Sequence, residues 1–197
     1  MADDLSVTLV LGGARSGKSA FAEELASRLE GPVLFVATGV AVDAEMAERI
    51  AAHRAARPAS WHCVEAPVNV GDSILTRVDD VRVVLVDCLS FLVSNWLLAE
   101  EATSSGEVSE HAVWPRVEDE IHGILHAARS RAAHLIVVSN EVGMSVVPDY
   151  PLGRVYRDLL GRANQHLAKE TVSVYLVVAG IPVAIKALGV RPPRGER

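Results

Sequence analysis

The sequence predicts an α/β fold in which a mostly parallel central sheet is covered by helices on both faces. Short, β-branched apolar runs recur along the chain, and each is followed by a longer segment with helical spacing. The runs are continuously apolar rather than alternating, which is typical of strands buried on both faces. Strands that alternate with helices imply βαβ crossovers and therefore three layers.

Five strands and five helices follow from this pattern. The predicted strands, in chain order, are Val7–Leu11, Val33–Val36, Val83–Val86, Leu135–Val138 and Val172–Val178. The predicted helices are 18–29, 43–56, 91–99, 113–128 and 152–169. Two polar segments break the rhythm: Glu100–Glu110 is expected to be a surface loop, and Arg191–Arg197 a frayed tail.

The first strand leads into a glycine-rich motif. Residues 12–19 match G-x-x-x-x-G-K-[ST] between a predicted strand and a predicted helix, which is the placement of a phosphate-binding loop, or P-loop. Its glycines let backbone N–H groups approach phosphate oxygens, and the helix N-terminus adds partial positive charge. Lys18 would reach the β- and γ-phosphates, and the Ser19 hydroxyl would ligate Mg²⁺. The alternative is a plain glycine-rich turn.

This motif narrows the expected fold to a three-layer P-loop NTPase fold. The predicted phosphate contacts are Gly12, Gly13, Ala14, Arg15, Ser16, Gly17, Lys18 and Ser19. Asp87, directly after four apolar residues, fits the acidic group that such proteins place at the end of a neighbouring buried strand, near the metal. Alternatively, Asp87 caps the helix that follows. GTPase switch motifs are absent after both later strands, so a small kinase or nucleotidyltransferase fits better.

The predicted helix 43–56 carries a cluster of basic residues near its end. Arg49, His53 and Arg57 recur at four-residue intervals, with Arg54 alongside. The cations form an anion-sized site and are expected to lower the pKa of His53, which favours the neutral imidazole. A neutral imidazole between guanidinium groups is a candidate nucleophile toward phosphorus. The alternative is a solvated basic helix end.

Several other features are assigned structural roles. Glu118, His122 and His126 share a helical spacing but are expected to form a solvated face rather than a metal site. The nearly all-apolar helix 91–99 is expected to lie at a subunit interface. Cys63 and Cys88 are expected to be small buried hydrophobic residues. By contrast, Asn140 and Glu141 follow a buried strand where open α/β sheets bind ligands, so they are candidates for ligand contact.

Composition limits the possible functions. The 197 residues are expected to form one domain, 1–197, a P-loop nucleotide-binding transferase domain. A net charge of −6 argues against a nucleic-acid partner. Two cysteines are too few for a disulfide scaffold and favour a reducing compartment. The acidic start, without a secretory signal, and the lack of a ~20-residue apolar run predict a cytoplasmic protein with no membrane anchor.

Four motifs together resemble a known family. They are GGARSGKS at 12–19, Ala37-Thr38-Gly39 after the second strand, RIAAHRAARP at 49–58 and SNEVGMSVV at 139–147. In this order, from about Val7 to Lys186, they resemble the bifunctional adenosylcobinamide kinase/adenosylcobinamide-phosphate guanylyltransferase of cobalamin biosynthesis. The resemblance implies homo-oligomers, with trimers described in the family, and both reactions of that enzyme.

In the first implied reaction, adenosylcobinamide takes the γ-phosphate of ATP or GTP. In the second, a histidine attacks the α-phosphate of GTP, pyrophosphate leaves, and GMP passes to the phosphorylated corrinoid to give adenosylcobinamide-GDP. The resemblance places the guanylylated histidine at His53, with Ala52 where some members carry a second histidine. Its implied nucleotide contacts, beyond the P-loop, are Ala37, Thr38, Gly39, Arg54, Ala55, Ala56, Arg57, Glu65 and Asp87.

The P-loop motif predicts that Ser19 and Asp87 hold a nucleotide-bound Mg²⁺. In the family that the chain resembles, some members carry glutamate where Asp87 stands. Two other functions are compatible with the residues alone. One is a plain P-loop kinase in which the arginines only clamp phosphates, and the other is a nucleotide-binding regulatory protein without turnover. Residues by themselves point to neither a corrinoid nor guanine, so the substrate follows from the resemblance.

Overall fold

The computed structural model describes residues 6–41, 43–55, 57–77 and 80–189, with side chains omitted at 45, 46, 49, 50 and 53. The strands are β1 (Val7–Gly12), β2 (Val33–Ala37), β3 (His62–Glu65), β4 (Val83–Asp87), β5 (His134–Asn140), β6 (Ser173–Val178) and β7 (Ile181–Ala184). The helices are α1 (Lys18–Arg28), α2 (Ala44–Ala55), α3 (Val70–Arg77), α4 (Leu89–Thr103), α5 (Glu110–Ser130), α6 (Pro151–Glu170) and α7 (Ile185–Leu188).

One seven-stranded sheet organises the described residues. Its order is β3-β2-β4-β5-β1-β6-β7, and every neighbouring pair is parallel except the antiparallel β6–β7 hairpin. The fold prediction, an α/β architecture with a mostly parallel sheet, is confirmed. Asp87 is predicted to end a strand beside the P-loop strand, but β4 and β1 are not neighbours. Instead, β5 lies between them and pairs with both.

The sheet has one apolar core on each face, because parallel strands covered by helices must bury both sets of side chains. Strand residues such as Leu9, Val86 and Val137 face α3, α4, α5 and α6. The alternate residues, such as Val10 and Leu85, face α1. We call this second side the α1 face.

The sequence prediction lacks four short elements, namely β3, β7, α3 and α7, and the two strands among them carry a weak apolar signal. β3 buries only Val64, and no residue of β7 is buried. The β6–β7 turn at Ala179 and Gly180 has positive φ at both positions, which fits a two-residue hairpin. In the sequence, the Ala-Gly pair between two apolar runs is the signal from which this turn could have been predicted.

The predicted extent of α4 needs correction. The expected loop at Glu100–Glu110 is helical at both ends, because α4 continues to Thr103 and α5 begins at Glu110. Five α4 residues are buried against this chain's own core, namely Leu89, Ser90, Leu92, Val93 and Leu97. Internal packing accounts for part of the apolar character of this helix, and the subunit interface stays a prediction. The tail 191–197 lies outside the described residues, and no described helix is long and apolar enough to cross a bilayer.

Candidate functional site

The P-loop folds at the carboxyl end of β1. Gly17 adopts φ 93° immediately before α1, and Arg15 also has a positive φ, so the chain turns sharply between strand and helix. A Cβ at Gly12 would lie 2.4 Å from Ser16 Oγ and 2.7 Å from the Val177 carbonyl oxygen, which explains the requirement for glycine there. Lys18 Nζ donates to the Gly13 carbonyl at 3.2 Å, folding the lysine back over the loop.

The turn of the β6–β7 hairpin contacts the backbone of the P-loop. The Gly180 N–H donates to the Ser16 carbonyl at 2.8 Å. A Cβ at Gly17 would lie 3.2 Å from Gly180 Cα, so the two backbones approach closely. Sequence analysis did not identify Gly180 as part of the site. The Ser16 hydroxyl oxygen is buried without a hydrogen-bond partner among the described residues, as expected of a group that awaits a ligand.

The parallel strands β2, β3 and β4 end at the same edge of the sheet as β1, which leads into the P-loop. Side chains alternate along a strand, and Leu85 and Phe35 both pack on the α1 face. Asp87 and Ala37, two residues further along β4 and β2, therefore point to the same side. Glu65 pairs in register with Ala37, and Ala37 with Asp87. The fold thus aligns three of the predicted contact residues along one edge.

Thr38 fixes the end of β4. Its hydroxyl donates to the Cys88 carbonyl at 2.7 Å and accepts from the Cys88 N–H at 2.8 Å, and the side chain is fully buried. Asn95 Nδ2 donates to the Thr38 carbonyl at 2.9 Å. Thr38 thus holds Asp87 and Cys88 in position. Gly39, which follows, is half-buried.

Burial, together with a smaller contribution from the adjacent Asp87 carboxylate, raises the pKa of the Cys88 thiol to about 11. The Lys18 ammonium acts in the opposite direction. The P-loop lysine and the end of β4 are therefore within electrostatic range of each other, although β5 separates their strands. Cys63 is exposed, contrary to expectation, because β3 is an edge strand.

The end of α2 lies beside Glu65 rather than beside the P-loop. Arg54 Nη1 is 3.3 Å from Glu65 Oε1, and Ala55 is exposed. β3 and β1 are four strands apart in the sheet, which corresponds to about 19 Å at the usual strand spacing. Position 53 lies in the last turn of α2, but the His53 side chain and all of Ala56 lie outside the described residues.

Arg57 is half-buried over β2. Its guanidinium carbon is 3.5 Å from the centre of the Phe35 ring, and its Nε has no hydrogen-bond partner among the described residues. Trp61 stacks on Phe35, and the centroids of the two rings are 6.4 Å apart. This arrangement anchors the chain just after α2. Because Phe35 belongs to β2, Arg57 lies three strand spacings from β1, the strand that leads into the P-loop.

The histidines of α5 do not surround a common point. His166 Nε2 is 3.3 Å from His122 Nε2, whereas His166 Nδ1 is 3.8 Å from Glu118 Oε1. The two nitrogens of the His166 ring therefore face different partners, so the three side chains do not converge on one point. Across the described part of the chain, no three His, Cys, Asp or Glu side chains are grouped to hold a metal ion.

Comparisons with known proteins point to one family. A family model described as cobinamide kinase / cobinamide phosphate guanyltransferase matches residues 8–185. The bifunctional adenosylcobalamin biosynthesis protein CobU of Salmonella typhimurium is 40% identical over 180 residues, which is 90% of this chain and 98% of that protein. The corresponding protein CobP of Pseudomonas aeruginosa is 38% identical over 178 residues, covering 90% of this chain and 96% of that protein.

A solved structure supports the fold alone. A prototypical ATPase from the type III secretion system of pathogenic bacteria aligns with a TM-score of 0.56 at 9% identity. The alignment covers 95% of this chain and 60% of that one. This agrees with the P-loop NTPase architecture inferred from the motif at residues 12–19.

Proposed function

This chain belongs to the cobinamide kinase / cobinamide phosphate guanyltransferase family, and we propose from this membership that it catalyses both reactions in adenosylcobalamin biosynthesis. In the first, adenosylcobinamide is phosphorylated by ATP or GTP. In the second, GMP from GTP is transferred to the phosphorylated corrinoid, which gives adenosylcobinamide-GDP. The observation that carries the proposal is the family match over residues 8–185, which spans both the P-loop and the α2 helix.

The kinase step takes place at the P-loop. Backbone N–H groups of Gly13–Gly17, the N-terminus of α1 and Lys18 bind the β- and γ-phosphates. The corrinoid hydroxyl oxygen bonds to the γ-phosphorus while the bond to the bridging oxygen breaks, and the nucleoside diphosphate leaves with that electron pair. The hydroxyl proton passes to water. The unpartnered Ser16 hydroxyl supports this placement, because a phosphate oxygen would satisfy it.

Ser19 and Asp87 fit a nucleotide-bound Mg²⁺. Ser19 lies in the first turn of α1, and Asp87 points to the α1 face from β4, so both offer the oxygen ligands that Mg²⁺ prefers. Two protein ligands are few, and phosphate oxygens and water would complete the shell. When bound, Mg²⁺ neutralises charge on the transferred phosphoryl group. Ser19 and Asp87 would hold the ion beside the triphosphate.

The guanylyl step uses His53. A ring nitrogen attacks the α-phosphorus of GTP, the bond to the β-phosphate oxygen breaks, and pyrophosphate leaves. An oxygen of the corrinoid phosphate then attacks the same phosphorus and releases the imidazole. Arg54 would stabilise the transferred group after exchanging its contact with Glu65 for phosphate oxygens.

This second step requires α2 to approach the P-loop. Each α2 residue with a described side chain is exposed, and none belongs to either core. The described side chains of α2 therefore make little packing contact that would resist this movement. Arg57 on Phe35 would serve as the fixed end of that movement. Alternatively, α2 of a second copy would supply the histidine, and homo-oligomers remain a prediction.

The test combines two labels with matched histidine variants. The wild-type protein is incubated with GTP labelled at the α-phosphate and is expected to gain one GMP, acid-labile and base-stable, which mass spectrometry maps to His53. His53→Ala should lose this label and retain γ-phosphate transfer to cobinamide. His126→Ala, which removes an exposed histidine of α5, should behave like the wild type.

The outcomes separate the candidate functions. Phosphoryl transfer without any GMP label would indicate a plain kinase and would overturn the covalent step. GTP binding without either product would indicate a regulatory nucleotide-binding protein. Label that persists in His53→Ala would place the nucleophile elsewhere.

A further inference from the structure

We propose that Asn140 is a catalytic residue of the kinase step, in which its side-chain oxygen accepts a hydrogen bond from the corrinoid hydroxyl and aims it at the γ-phosphorus. This inference rests on the proposed function. It assigns a role to a residue that the P-loop motif and the implied nucleotide contacts leave out. Three features of the structure carry it: position, rigidity and an unsatisfied polar atom.

Asn140 lies between the two halves of the predicted phosphate site. It ends β5, the strand inserted between β1 and β4, and it pairs in register with Gly12 at the start of the P-loop. Ile136 and Val138 of the same strand pack on the α1 face, so alternation directs Asn140 to that side. Asp87 points to this face from the other neighbouring strand. The amide therefore lies where the phosphates and the metal-binding carboxylate meet.

The backbone of Asn140 is held by side chains from two helices. Its N–H donates to Ser90 Oγ of α4 at 2.7 Å, and its carbonyl accepts from Asn164 Nδ2 of α6 at 3.0 Å. Asn164 is itself oriented by the Ser139 hydroxyl, which donates to its Oδ1 at 2.6 Å. Ser139 and Asn164 are both buried. A side chain on so rigid a support keeps its position, as a group that orients a nucleophile must.

The side-chain oxygen of Asn140 is buried and has no hydrogen-bond partner among the described residues. A buried acceptor left unpaired costs about 1–3 kcal/mol. The polar side chains on either side are already engaged, since Ser139 bonds to Asn164 and the Glu141 carboxylate accepts from the Gly143 N–H at 2.6 Å. Of these three residues, Asn140 is the one whose buried side-chain acceptor lacks a partner among the described residues.

The chemistry of an acceptor oxygen distinguishes the two reactions. In the kinase step the nucleophile is a hydroxyl, which has a proton to donate to Asn140 Oδ1. Its oxygen bonds to the γ-phosphorus, the bond from that phosphorus to the bridging oxygen breaks, and the proton passes to water. In the guanylyl step the nucleophiles are an imidazole nitrogen and a phosphate oxygen. Neither offers Asn140 a hydroxyl proton, so this contact serves phosphorylation alone.

The test compares the two reactions in the full-length protein. In Asn140→Ala, kcat for phosphoryl transfer from ATP to cobinamide should fall about 100-fold or more, because a misplaced nucleophile costs about that factor. KM for ATP should change less than about threefold, since the triphosphate contacts remain. Guanylylation of separately prepared cobinamide phosphate should also stay within about threefold. Asn140→Leu keeps the side-chain volume without the acceptor and should give the same split.

Glu120→Ala is the control for lost stability, because Glu120 accepts from the Val70 N–H and Trp96 Nε1 and bonds to no group that holds Asn140. It should lower thermal stability while leaving the ratio of the two activities unchanged. Retention of kinase activity in both Asn140 variants would overturn the proposal, and so would an equal loss of both activities. A wild-type protein that does not phosphorylate cobinamide would instead contradict the proposed function.

Discussion

At the scale of single residues, Thr38 and Cys88 show how the polar edge of the sheet is built on a buried contact. One hydroxyl satisfies both the N–H and the carbonyl of Cys88, at a point with no access to water. The family resemblance implies that Thr38 contacts the nucleotide, and the structure gives its hydroxyl a structural partner. Thr38 would then affect nucleotide binding indirectly, because it fixes the position of Asp87.

Replacing this hydroxyl should destabilise the fold. Thr38→Val keeps the shape but leaves two buried backbone groups unpaired, and the free energy of unfolding should fall by about 2–4 kcal/mol. Urea denaturation measures the change. The control is Thr76→Val, whose exposed hydroxyl bonds to the Asp72 carbonyl and which should change stability by less than about 0.5 kcal/mol. Equal effects of both variants would contradict the structural role.

The two cysteines should differ sharply in reactivity. Burial raises the pKa of Cys88 to about 11, whereas Cys63 is exposed. At pH 8, iodoacetamide should modify Cys63 and spare Cys88 until the protein unfolds, since only the thiolate reacts.

Because the Cys88 thiol loses its proton near pH 9 when unfolded and near pH 11 when folded, its contribution to the free energy of unfolding should decline as the pH rises through this window. Peptide mass spectrometry and urea titrations measure these effects; comparable native labelling at both sites would contradict them.

At the scale of elements, α3 and α5 cross where two glycines meet. A Cβ at Gly71 would lie 2.6 Å from the carbonyl carbon of Gly123, whereas a Cβ at Gly123 would lie 3.8 Å from Gly71 Cα. The contact is therefore asymmetric. Only Gly71 is required to lack a side chain.

This asymmetry predicts opposite outcomes for two similar substitutions. Gly71→Ala should force the helices apart and lower the free energy of unfolding by about 1–3 kcal/mol. Gly123→Ala has room for its methyl group and should be neutral, or stabilising by up to about 1 kcal/mol through helix propensity. Thermal and urea unfolding of the pair measure the difference. A larger loss in Gly123→Ala would show that the crossing is not as described.

Glu120 joins three helices. Its buried carboxylate accepts hydrogen bonds from the Asn69 and Val70 N–H groups at the start of α3, and from Trp96 Nε1 of α4 at 3.1 Å. Glu120→Ala should cost about 2–4 kcal/mol of stability, because it strands three donors. Its neighbour Asp119 is exposed, so Asp119→Ala should change stability by less than about 0.5 kcal/mol. Urea denaturation distinguishes the two, and a mild effect at Glu120 would contradict this network.

At the scale of the whole molecule, nucleotide binding should couple to folding through the P-loop. GTP with Mg²⁺ at 100 times its Kd should add about 2.7 kcal/mol to the free energy of unfolding, and raise Tm by about 5–10 °C. Lys18→Ala should lose most of this shift. Lys169→Ala removes an exposed lysine near the end of α6 and should retain it. Differential scanning calorimetry measures both, and an undiminished shift in Lys18→Ala would remove the lysine from the phosphate site.

The sequence by itself determined the five long strands, the five long helices and the P-loop. These features depend on local rules: continuous apolar runs, helical spacing, and glycines ahead of Lys18. The short elements escaped prediction, since β3 and β7 bury too little apolar surface to leave a pattern. The site residues remain predictions, and His53 depends on the motif and the family resemblance.

Only the tertiary structure decided which strands are neighbours. Strand pairing joins segments far apart in the chain and is selected by burial of both faces of the sheet together, so no local pattern encodes it. That pairing inserted β5 between the P-loop strand and the strand of Asp87, and it gave Asn140 its place at their junction. It also placed β3, which follows α2, at the far edge of the sheet, four strand spacings from the P-loop strand.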